Sequence, residues 1–340
     1  MPDPVVHRLR VTAVIAETAE SCSLVFQAAN EFHYAPGQFL TMRIPVADGS
    51  VARCYSLASS PHRGEPPKVT VKRVAGGLAS NWICDHVRAG TIIETLVPAG
   101  IFTPRSLDDD LLLFAGGSGI TPIMSIVKSV LHAGNGRVVL IYANQDENSV
   151  IFAAELAELA RDNPKRLVTV HWLVSVQGLP DVATLRELTR PYGGHDAFLC
   201  GPEPFMDAAA EALRQLGFTR DHVHTERFLS LSGDPFTTSA EDQIADAQSD
   251  AAQVEVELDG AVTTHPWPRA RRLLDVLLDA GLAAPYSCRE GACSACACRV
   301  LDGEVKMLRN EVLEEADLAE GYVLSCQAVP VTDSVKVSYS

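Results

Sequence analysis

The sequence predicts a multidomain protein: an antiparallel β-barrel, then an α/β domain with a parallel sheet, then a small α+β domain. Three observations carry this. The chain has 340 residues, 47% of them apolar and 21% charged, enough at roughly 100–200 residues per domain for two or three real cores. Near residue 105 the hydrophobic rhythm changes from short alternating runs to continuous apolar runs between amphipathic stretches. Near residue 231 that second rhythm stops at an acidic, apolar-poor stretch, and alternation resumes beyond it.

The composition is not that of a disordered chain, a collagen or a coiled coil. Lys+Arg 28 against Asp+Glu 43 leaves a net charge of −15, which argues against binding nucleic acid or anionic lipid. The opening MPDPVVHRLRVTAVIAETAE lacks the basic and apolar regions of a signal peptide, and no apolar run is long enough to span a membrane. A cytoplasmic location is expected.

Residues 1–104 contain VTAVI, SLVF, FLTMRI, KVTVKRV and TIIETLV, punctuated by Pro36-Gly37 and Gly76-Gly77. Short strands at close spacing predict an antiparallel barrel or sandwich. Over 105–230 the strands LLLFA, VVLIYA, LVTVHWLVS and AFLCG alternate with helical stretches, ITPIMSIVKSVLHAG, AAELAELARDN and PFMDAAAEALRQLG. That alternation predicts a doubly wound parallel sheet. Residues 231–252 hold five acidic and no basic residues and read as a linker. Residues 253–340 open with the strand VEVELDG, continue through the helix ARRLLDVLLDAG and a cysteine-rich loop, and close with the strand SVKVSYS. Charge is uneven, with residues 231–340 at net −11 and residues 1–230 at net −4.

Of nine cysteines, Cys22, Cys54, Cys84 and Cys200 are scattered. Cys288-x4-Cys293-x2-Cys296, then 29 residues, then Cys326, matches plant-type [2Fe–2S] spacing. Gly291, Ala292, Ser294 and Ala295 are small enough for backbone N–H groups to approach the sulfurs. A structural zinc or plain buried thiols are the alternatives, although zinc sites usually pair two short-spaced thiol couples. Cys298, two residues past Cys296 on an expected strand, reads as a small packed side chain.

Here the chain resembles a family. Its last ninety or so residues are similar to a plant-type ferredoxin with a β-grasp fold, and the preceding 230 to the ferredoxin–NADP reductase superfamily. The order flavin, nicotinamide, ferredoxin resembles reductase components of multicomponent oxygenases. Together with Pro285-Tyr286-Ser287-Cys288-Arg289-Glu290-Gly291 and Leu231-Ser232-Gly233-Asp234-Pro235-Phe236, it resembles in particular those serving Rieske-type oxygenases such as 3-ketosteroid 9α-hydroxylase. The alternative is the reductase of a di-iron, phenylacetyl-CoA epoxidase-like monooxygenase. The resemblance implies FAD, NADH and a [2Fe–2S] cluster as cofactors, with Cys288, Cys293, Cys296 and Cys326 as ligands. A terminal oxygenase is the implied electron acceptor.

Arg53-Cys54-Tyr55-Ser56, extended by Ser59 and Pro61, fits the family's R-x-Y-S flavin motif. An Arg can pair with a phosphate, a Tyr face can stack on the isoalloxazine, and Ser56 can hydrogen-bond near its N5. Thr70-Val71-Lys72-Arg73 stands where the family has its second flavin segment. Gly77-Leu78-Ala79-Ser80-Asn81 stands at the third, and reads as a Gly turn feeding a helix N-terminus, a natural pyrophosphate site. The family's adenine-stacking Tyr is not found after the second segment, where Val74-Ala75-Gly76 runs on.

Phe114-Ala115-Gly116-Gly117-Ser118-Gly119-Ile120-Thr121-Pro122 reads as a strand, a Gly-rich turn and a helix start that can hold a dinucleotide pyrophosphate. It is not G-x-G-x-x-G, but it matches the family's own turn. Leu199-Cys200-Gly201-Pro202 resembles the family's C-G-P motif, which puts Cys200 beside the nicotinamide C4 as a shaping group. By the same likeness Glu226 tunes the flavin and Phe228 shields its face. NADH is expected over NADPH: Ser175 is present where NADPH members often carry Ser-Arg, but Val176 follows it, and Asp146 and Glu147 add carboxylates that would repel a phosphate. No general acid–base pair or activated nucleophile is required. A redox sensor would not need both dinucleotide motifs, and an oxygenase proper would need an iron site that His7, His132 and His171 do not supply by spacing.

Overall fold

The computed structural model describes residues 5–27, 32–46, 49–236 and 251–339. They form two compact units. One comprises Arg8–Ser50 and Cys54–Phe228; the other comprises Leu229 onward together with Val51–Arg53 and the start of the chain.

The barrel half of the first unit runs β1 (Val6–Thr18), β2 (Ser21–Gln27), β3 (Phe39–Val46), β4 (Gly49–Ser56), β5 (Lys68–Lys72), helix α1 (Leu78–His86) and β6 (Ile92–Leu96). The strands lie in the order β4-β3-β6-β1-β2-β5, antiparallel in β1–β2, β2–β5 and β3–β6. Leu57, just past β4, bridges Val69 of β5, so the two outer strands meet and the sheet curls shut. Inward Val11, Leu24, Phe26, Met42, Ile44 and Val69 are almost fully buried. The alternation seen in the sequence is the alternation of these positions with outward polar ones.

The α/β half follows: β7 (Leu111–Gly116), α2 (Ile120–Ala133), β8 (Val138–Asn144), α3 (Ala153–Asp162), β9 (Leu167–Leu173), a one-turn helix α4 (Val174–Gln177), α5 (Val182–Thr189), β10 (Asp196–Cys200), α6 (Glu203–Gln215) and β11 (Val223–Glu226). All pairings are parallel, in the order β11-β10-β7-β8-β9. Every residue of β7 and β8 is buried, as expected of strands covered by helices on both faces. The chain winds outward from β7 to β9 and returns to β10 on the other side of β7. The crevice above the carboxyl ends of β7 and β10 is therefore the topological switch point, where open α/β sheets bind their ligands. Helix α5 lies in a stretch for which the sequence predicts no element. Asp181 starts it, its carboxylate accepting from the Thr184 N–H at 2.8 Å.

A buried ionic cluster joins the two halves of this unit. Lys128 of α2 is fully buried, with Nζ 2.8 Å from Glu65 and 3.2 Å from Glu155 of α3. Lys68 of β5 adds a 2.9 Å bridge to Glu155. Ser60 and Ser129 hydroxyls meet at 2.8 Å, and Ser125 Oγ donates to the Ser59 carbonyl at 2.6 Å. Removing one member of a buried ion pair leaves the others uncompensated. Lys128→Ala is expected to destabilise this unit by about 3–5 kcal/mol, read as a fall in the denaturant midpoint at unchanged slope.

The second unit contains β12 (Ala251–Leu258), β13 (Ala261–Pro268), α7 (Leu273–Asp279), β14 (Ala297–Asp302), β15 (Val305–Met307), α8 (Glu315–Ala319), β16 (Tyr322–Leu324), β17 (Ala328–Pro330) and β18 (Ser334–Ser338). Its main sheet has the order β13-β12-β18-β14-β16, with β12 and β18 parallel and its other neighbours antiparallel. Trp267 and Leu273, Leu274 and Leu277 of α7 bury against Val254, Val256 and Val337, giving the β-grasp arrangement. Most of the expected linker, residues 237–250, lies outside the described residues. Its beginning is anchored by buried Leu231 and Phe236, and β12 opens at Ala251, ahead of the expected boundary at 253.

Candidate functional site

The turn after β7 and the turn after β10 touch through their backbones. A Cβ on Gly119 would lie 2.0 Å from the Cys200 carbonyl oxygen, and one on Gly201 2.9 Å from Gly116 Cα. A Cβ on Gly116 would meet Pro202 at 2.6 Å. These glycines permit backbone approach that no other residue allows. Gly117 takes φ +52 and enters a short 3-10 turn, Gly117–Gly119, that runs into α2. No side chain caps the start of α2 and no acidic residue lies in its first turn. The Ile120 N–H is taken by the Gly117 and Ser118 carbonyls, whereas the Gly117–Gly119 turn has no side-chain cap and no acidic residue. The N–H groups of that turn are thus the ones open to an anion, and the cradle fits a dinucleotide pyrophosphate. Thr121 Oγ1 donates to the Ser118 carbonyl at 3.1 Å and fixes the turn.

Cys200 and Glu226 are register partners across β10 and β11. Burial, reinforced by Glu226, pushes the Cys200 thiol well above its ordinary range, so it is a neutral group and no nucleophile. Burial also pushes the Glu226 carboxyl up to about 8, so it carries a proton at neutral pH. Phe228 lies past the end of β11 and is 49% exposed.

The three expected flavin segments lie on the barrel. Ser56 is buried and Tyr55 half-buried at the end of β4. Arg53, expected beside them as a phosphate partner, directs Nη1 to the carbonyls of Ala52 at 2.6 Å and Leu231 at 2.8 Å. Thr70 and Val71, neighbours on β5, face opposite sides of the sheet and are both buried: Thr70 shares a 2.7 Å hydrogen bond with Ser23, and Val71 is core. That leaves their side chains to the barrel and only the backbone for a ligand. Lys72 points elsewhere than the barrel core, and its Nζ lies 3.4 Å from where a Gly117 Cβ would be. A cation thus sits at the nucleotide turn, which spacing along the chain did not reveal. The third segment does start a helix. Gly77 precedes α1, which has no side-chain cap and no acid in its first turn. Ser80 Oγ accepts from the Val74 N–H at 3.1 Å, and Asn81 donates to the carbonyls of Val74 and Gly77. Leu78 is exposed and Ala79 buried. These open N–H groups fit a flavin pyrophosphate.

In the second unit Cys288, Cys293, Cys296 and Cys326 are all buried. The neighbouring Cys293 and Cys326 sulfurs, then the backbone N–H groups of Glu290 and Ala292, hold the Cys288 thiol well below its ordinary range. Cys296 is lowered by the Cys326 thiol, and Cys326, donating to both, is raised. Backbone N–H groups of Glu290 and Ala292 reach Cys288 Sγ at 3.4 and 3.3 Å, and the Cys288 N–H reaches Cys293 Sγ at 3.4 Å. Left-handed φ at Arg289, Gly291 and Ser294 curls the loop to aim these donors. Four converging sulfurs with N–H donors fit a thiolate-ligated cluster, whose charge such donors stabilise. Among the described residues no three His, Cys, Asp or Glu are gathered for a single ion; in a binuclear cluster the four thiolates divide between two irons.

The loop is held from outside as well. Arg289 makes a buried 2.5 Å bridge to Asp275 of α7. Gln327 Nε2 donates to the Arg289 carbonyl at 2.9 Å and lies 3.7 Å from Cys326 Sγ. Glu290 accepts from the Ser232 and Gly233 N–H groups, both at 2.9 Å. Cys298 is buried in β14, and its thiol is raised by burial, consistent with packing.

Comparison with known proteins agrees with this geometry domain by domain. Residues 8–103 match the oxidoreductase FAD-binding domain, 113–211 the oxidoreductase NAD-binding domain, and 256–331 the 2Fe-2S iron-sulfur cluster binding domain. The chain is 54% identical over 337 residues, 97% of this chain and 96% of the other, to the ferredoxin reductase component of 3-ketosteroid-9-alpha-monooxygenase from Rhodococcus rhodochrous. The chain belongs to this family of FAD-, NAD- and [2Fe–2S]-binding monooxygenase reductases. It is also 34% identical, over 98% of this chain and 97% of the other, to a subunit of 1,2-phenylacetyl-CoA epoxidase from Escherichia coli. The solved structure of phthalate dioxygenase reductase shares the fold, with a TM-score of 0.59, 23% identity and coverage of 98% of each chain. Among the described residues no helix is long and apolar enough to cross a membrane.

Proposed function

We propose that this chain is the NADH-dependent reductase of a Rieske-type oxygenase system that hydroxylates a steroid ring. The observation that supports it is 54% identity along 97% of the chain to a reductase component named for that reaction. The epoxidase reductase, at 34%, is the second reading. The assigned parts are a flavin domain over 1–104, a nicotinamide domain over 105–230, a linker over 231–252 and a cluster domain over 253–340. When bound, NADH supplies two electrons at once, the flavin divides them, and the cluster carries them singly to the oxygenase.

The chain's own residues position this chemistry. The Gly116–Gly119 turn and Thr121 hold the nicotinamide dinucleotide at the start of α2, while Gly201 and Pro202 close the crevice. Cys200, a neutral thiol, bounds the nicotinamide pocket without reacting. Glu226 holds its proton on the carboxyl at neutral pH and so presents a donor rather than a charge. Arg53, Tyr55, Ser56, the backbone of Thr70-Val71-Lys72 and the α1 start at Gly77-Leu78-Ala79-Ser80 bind the flavin, with Phe228 over its face. Cys288, Cys293, Cys296 and Cys326 ligate the cluster. A cytoplasmic location is consistent with the five cysteines outside the cluster set, Cys22, Cys54, Cys84, Cys200 and Cys298, standing as free thiols.

NADH is expected to exceed NADPH in kcat/KM by ~10-fold or more, because Ser175 in α4 is followed by Val176 and not by an Arg that would take the extra phosphate. Equal efficiencies in steady-state assays would refute the selectivity.

A net charge of −11 on residues 231–340 favours an acceptor with a basic docking surface. Electron transfer to a Rieske steroid oxygenase is therefore expected to fall steeply with added salt, while reduction of a small artificial acceptor changes little. Support of a di-iron epoxidase and of no Rieske oxygenase would move the chain to the second reading.

A further inference from the structure

Two thiols that the electron path does not use lie together in the barrel half. Cys22 Sγ on β2 and Cys84 Sγ on α1 are 3.4 Å apart. They converge from elements joined through β5: Cys22 is the register partner of Val71, and the Cys84 thiol points at the Val71 carbonyl at 3.9 Å. A disulfide needs a sulfur separation of ~2.0 Å, so the two sulfurs would close by about 1.4 Å from this contact. Their surroundings differ. Cys22 is buried, whereas Cys84 is half-buried and lies beside the Arg73–Asp85 ion pair, 2.5 Å long. In this contact either thiol can donate; the contact, then the charge of Arg73, lowers the Cys84 thiol, while the contact and burial push Cys22 up. By burial Cys84 is the reachable sulfur and Cys22 the protected one, the division of labour of an attacking and a resolving cysteine.

We propose that Cys22 and Cys84 are a reversible oxidation site, in which hydrogen peroxide drives a disulfide that ties α1 to β2 and slows loss of the flavin. The oxidant is the two-electron reduction product of dioxygen, which reduced flavin forms in air. The Cys84 thiolate attacks one peroxide oxygen, the O–O bond breaks, and hydroxide leaves, giving Cys84 sulfenic acid. The Cys22 thiol then attacks that sulfur; an S–S bond forms, the S–O bond breaks, and water leaves with the Cys22 proton. In total two thiols and one peroxide give one disulfide and two waters. The bond itself stands on the thiol geometry. Its effect on flavin rests on the reading of Gly77–Asn81, at the start of α1, as the pyrophosphate segment.

The test treats the full-length holoprotein with stoichiometric hydrogen peroxide and maps non-reduced peptides by mass spectrometry. The expected result is a Cys22–Cys84 linked peptide pair that dithiothreitol removes and that neither Cys22→Ser nor Cys84→Ser forms. Cys22→Ser should instead trap a dimedone adduct on Cys84. The bond closes a loop across 62 sequence positions, so the oxidised protein should melt ~5 °C or more higher and release FAD several-fold more slowly on dilution. Both thiols still alkylatable after peroxide, or a dimedone adduct on wild-type Cys84 with no linked pair, would overturn the proposal. Unchanged FAD release from cross-linked protein would overturn the flavin effect. Leu78→Asp, in reduced protein, separates this from the reading it rests on: a carboxylate there should weaken FAD binding, and undiminished affinity would show that the helix start does not hold the pyrophosphate.

Discussion

Serine in place of any one of Cys288, Cys293, Cys296 or Cys326 is expected to abolish the iron–sulfur absorbance and electron transfer to a protein acceptor, while NADH still reduces the flavin. A serine hydroxyl is a harder and far less acidic ligand than a thiol, and these sulfurs lie in a buried loop whose N–H groups are aimed at sulfur. The separation of effects follows from the fold. The nicotinamide crevice at β7 and β10 belongs to one compact unit and the four thiols to the other. Cys298→Ser supplies the contrast: that thiol packs in β14 among core residues, so its loss should cost some stability and leave the cluster spectrum intact. Loss of the cluster in Cys298→Ser, or its retention in Cys326→Ser, would require a different ligand set.

The second large effect is expected at Gly119. Its φ of −60 suits any residue, so alanine there meets no backbone strain. The obstacle is steric: the added methyl would lie 2.0 Å from the Cys200 carbonyl oxygen, 2.4 Å from its carbon and 2.7 Å from the Gly201 nitrogen. All three are backbone atoms and cannot swing aside. Overpacking of ordinary side chains costs roughly 1–3 kcal/mol, and a backbone obstacle belongs at or above the top of that range. Gly119→Ala should therefore push β7 and β10 apart at their carboxyl ends, weakening NADH binding ~10-fold or more and lowering the melting temperature. Gly193→Ala is the control, since its Cβ would meet nothing within 4 Å. Wild-type NADH affinity in Gly119→Ala would contradict the placement of the nicotinamide site.

The architecture was legible where local rules and global fold coincide. Leu111–Ala115 and Val138–Ala143 read as buried parallel strands because both faces are covered, and the four clustered thiols stand out because their spacing is itself the geometric requirement. The Gly turns before α1 and α2 were legible for the same reason, since an open helix start needs small residues ahead of it. What the sequence did not disclose depends on side-chain direction and on contacts distant in the chain. Thr70 and Val71 form part of a family segment, but the pairing of β5 with β2 buries both side chains, on opposite faces of the sheet. Lys72 reaches Gly117 across forty-odd positions, and Lys128 appears in sequence as one cation on an amphipathic helix. Only packing reveals it as the buried centre of the Glu65–Glu155–Lys68 cluster. The pairing of Cys22 with Cys84 is of the same kind, two thiols that looked scattered until β2 and α1 came together.

The central claim is that this one chain carries electrons from NADH through flavin to its [2Fe–2S] cluster. Anaerobic titration of the holoprotein with NADH, followed together by visible absorbance and electron paramagnetic resonance, tests it most directly. The account predicts that the flavin bands bleach and that the signal of a reduced [2Fe–2S] cluster grows within the same titration, with no added mediator. Full bleaching of the flavin while the cluster stays oxidised and silent would contradict it.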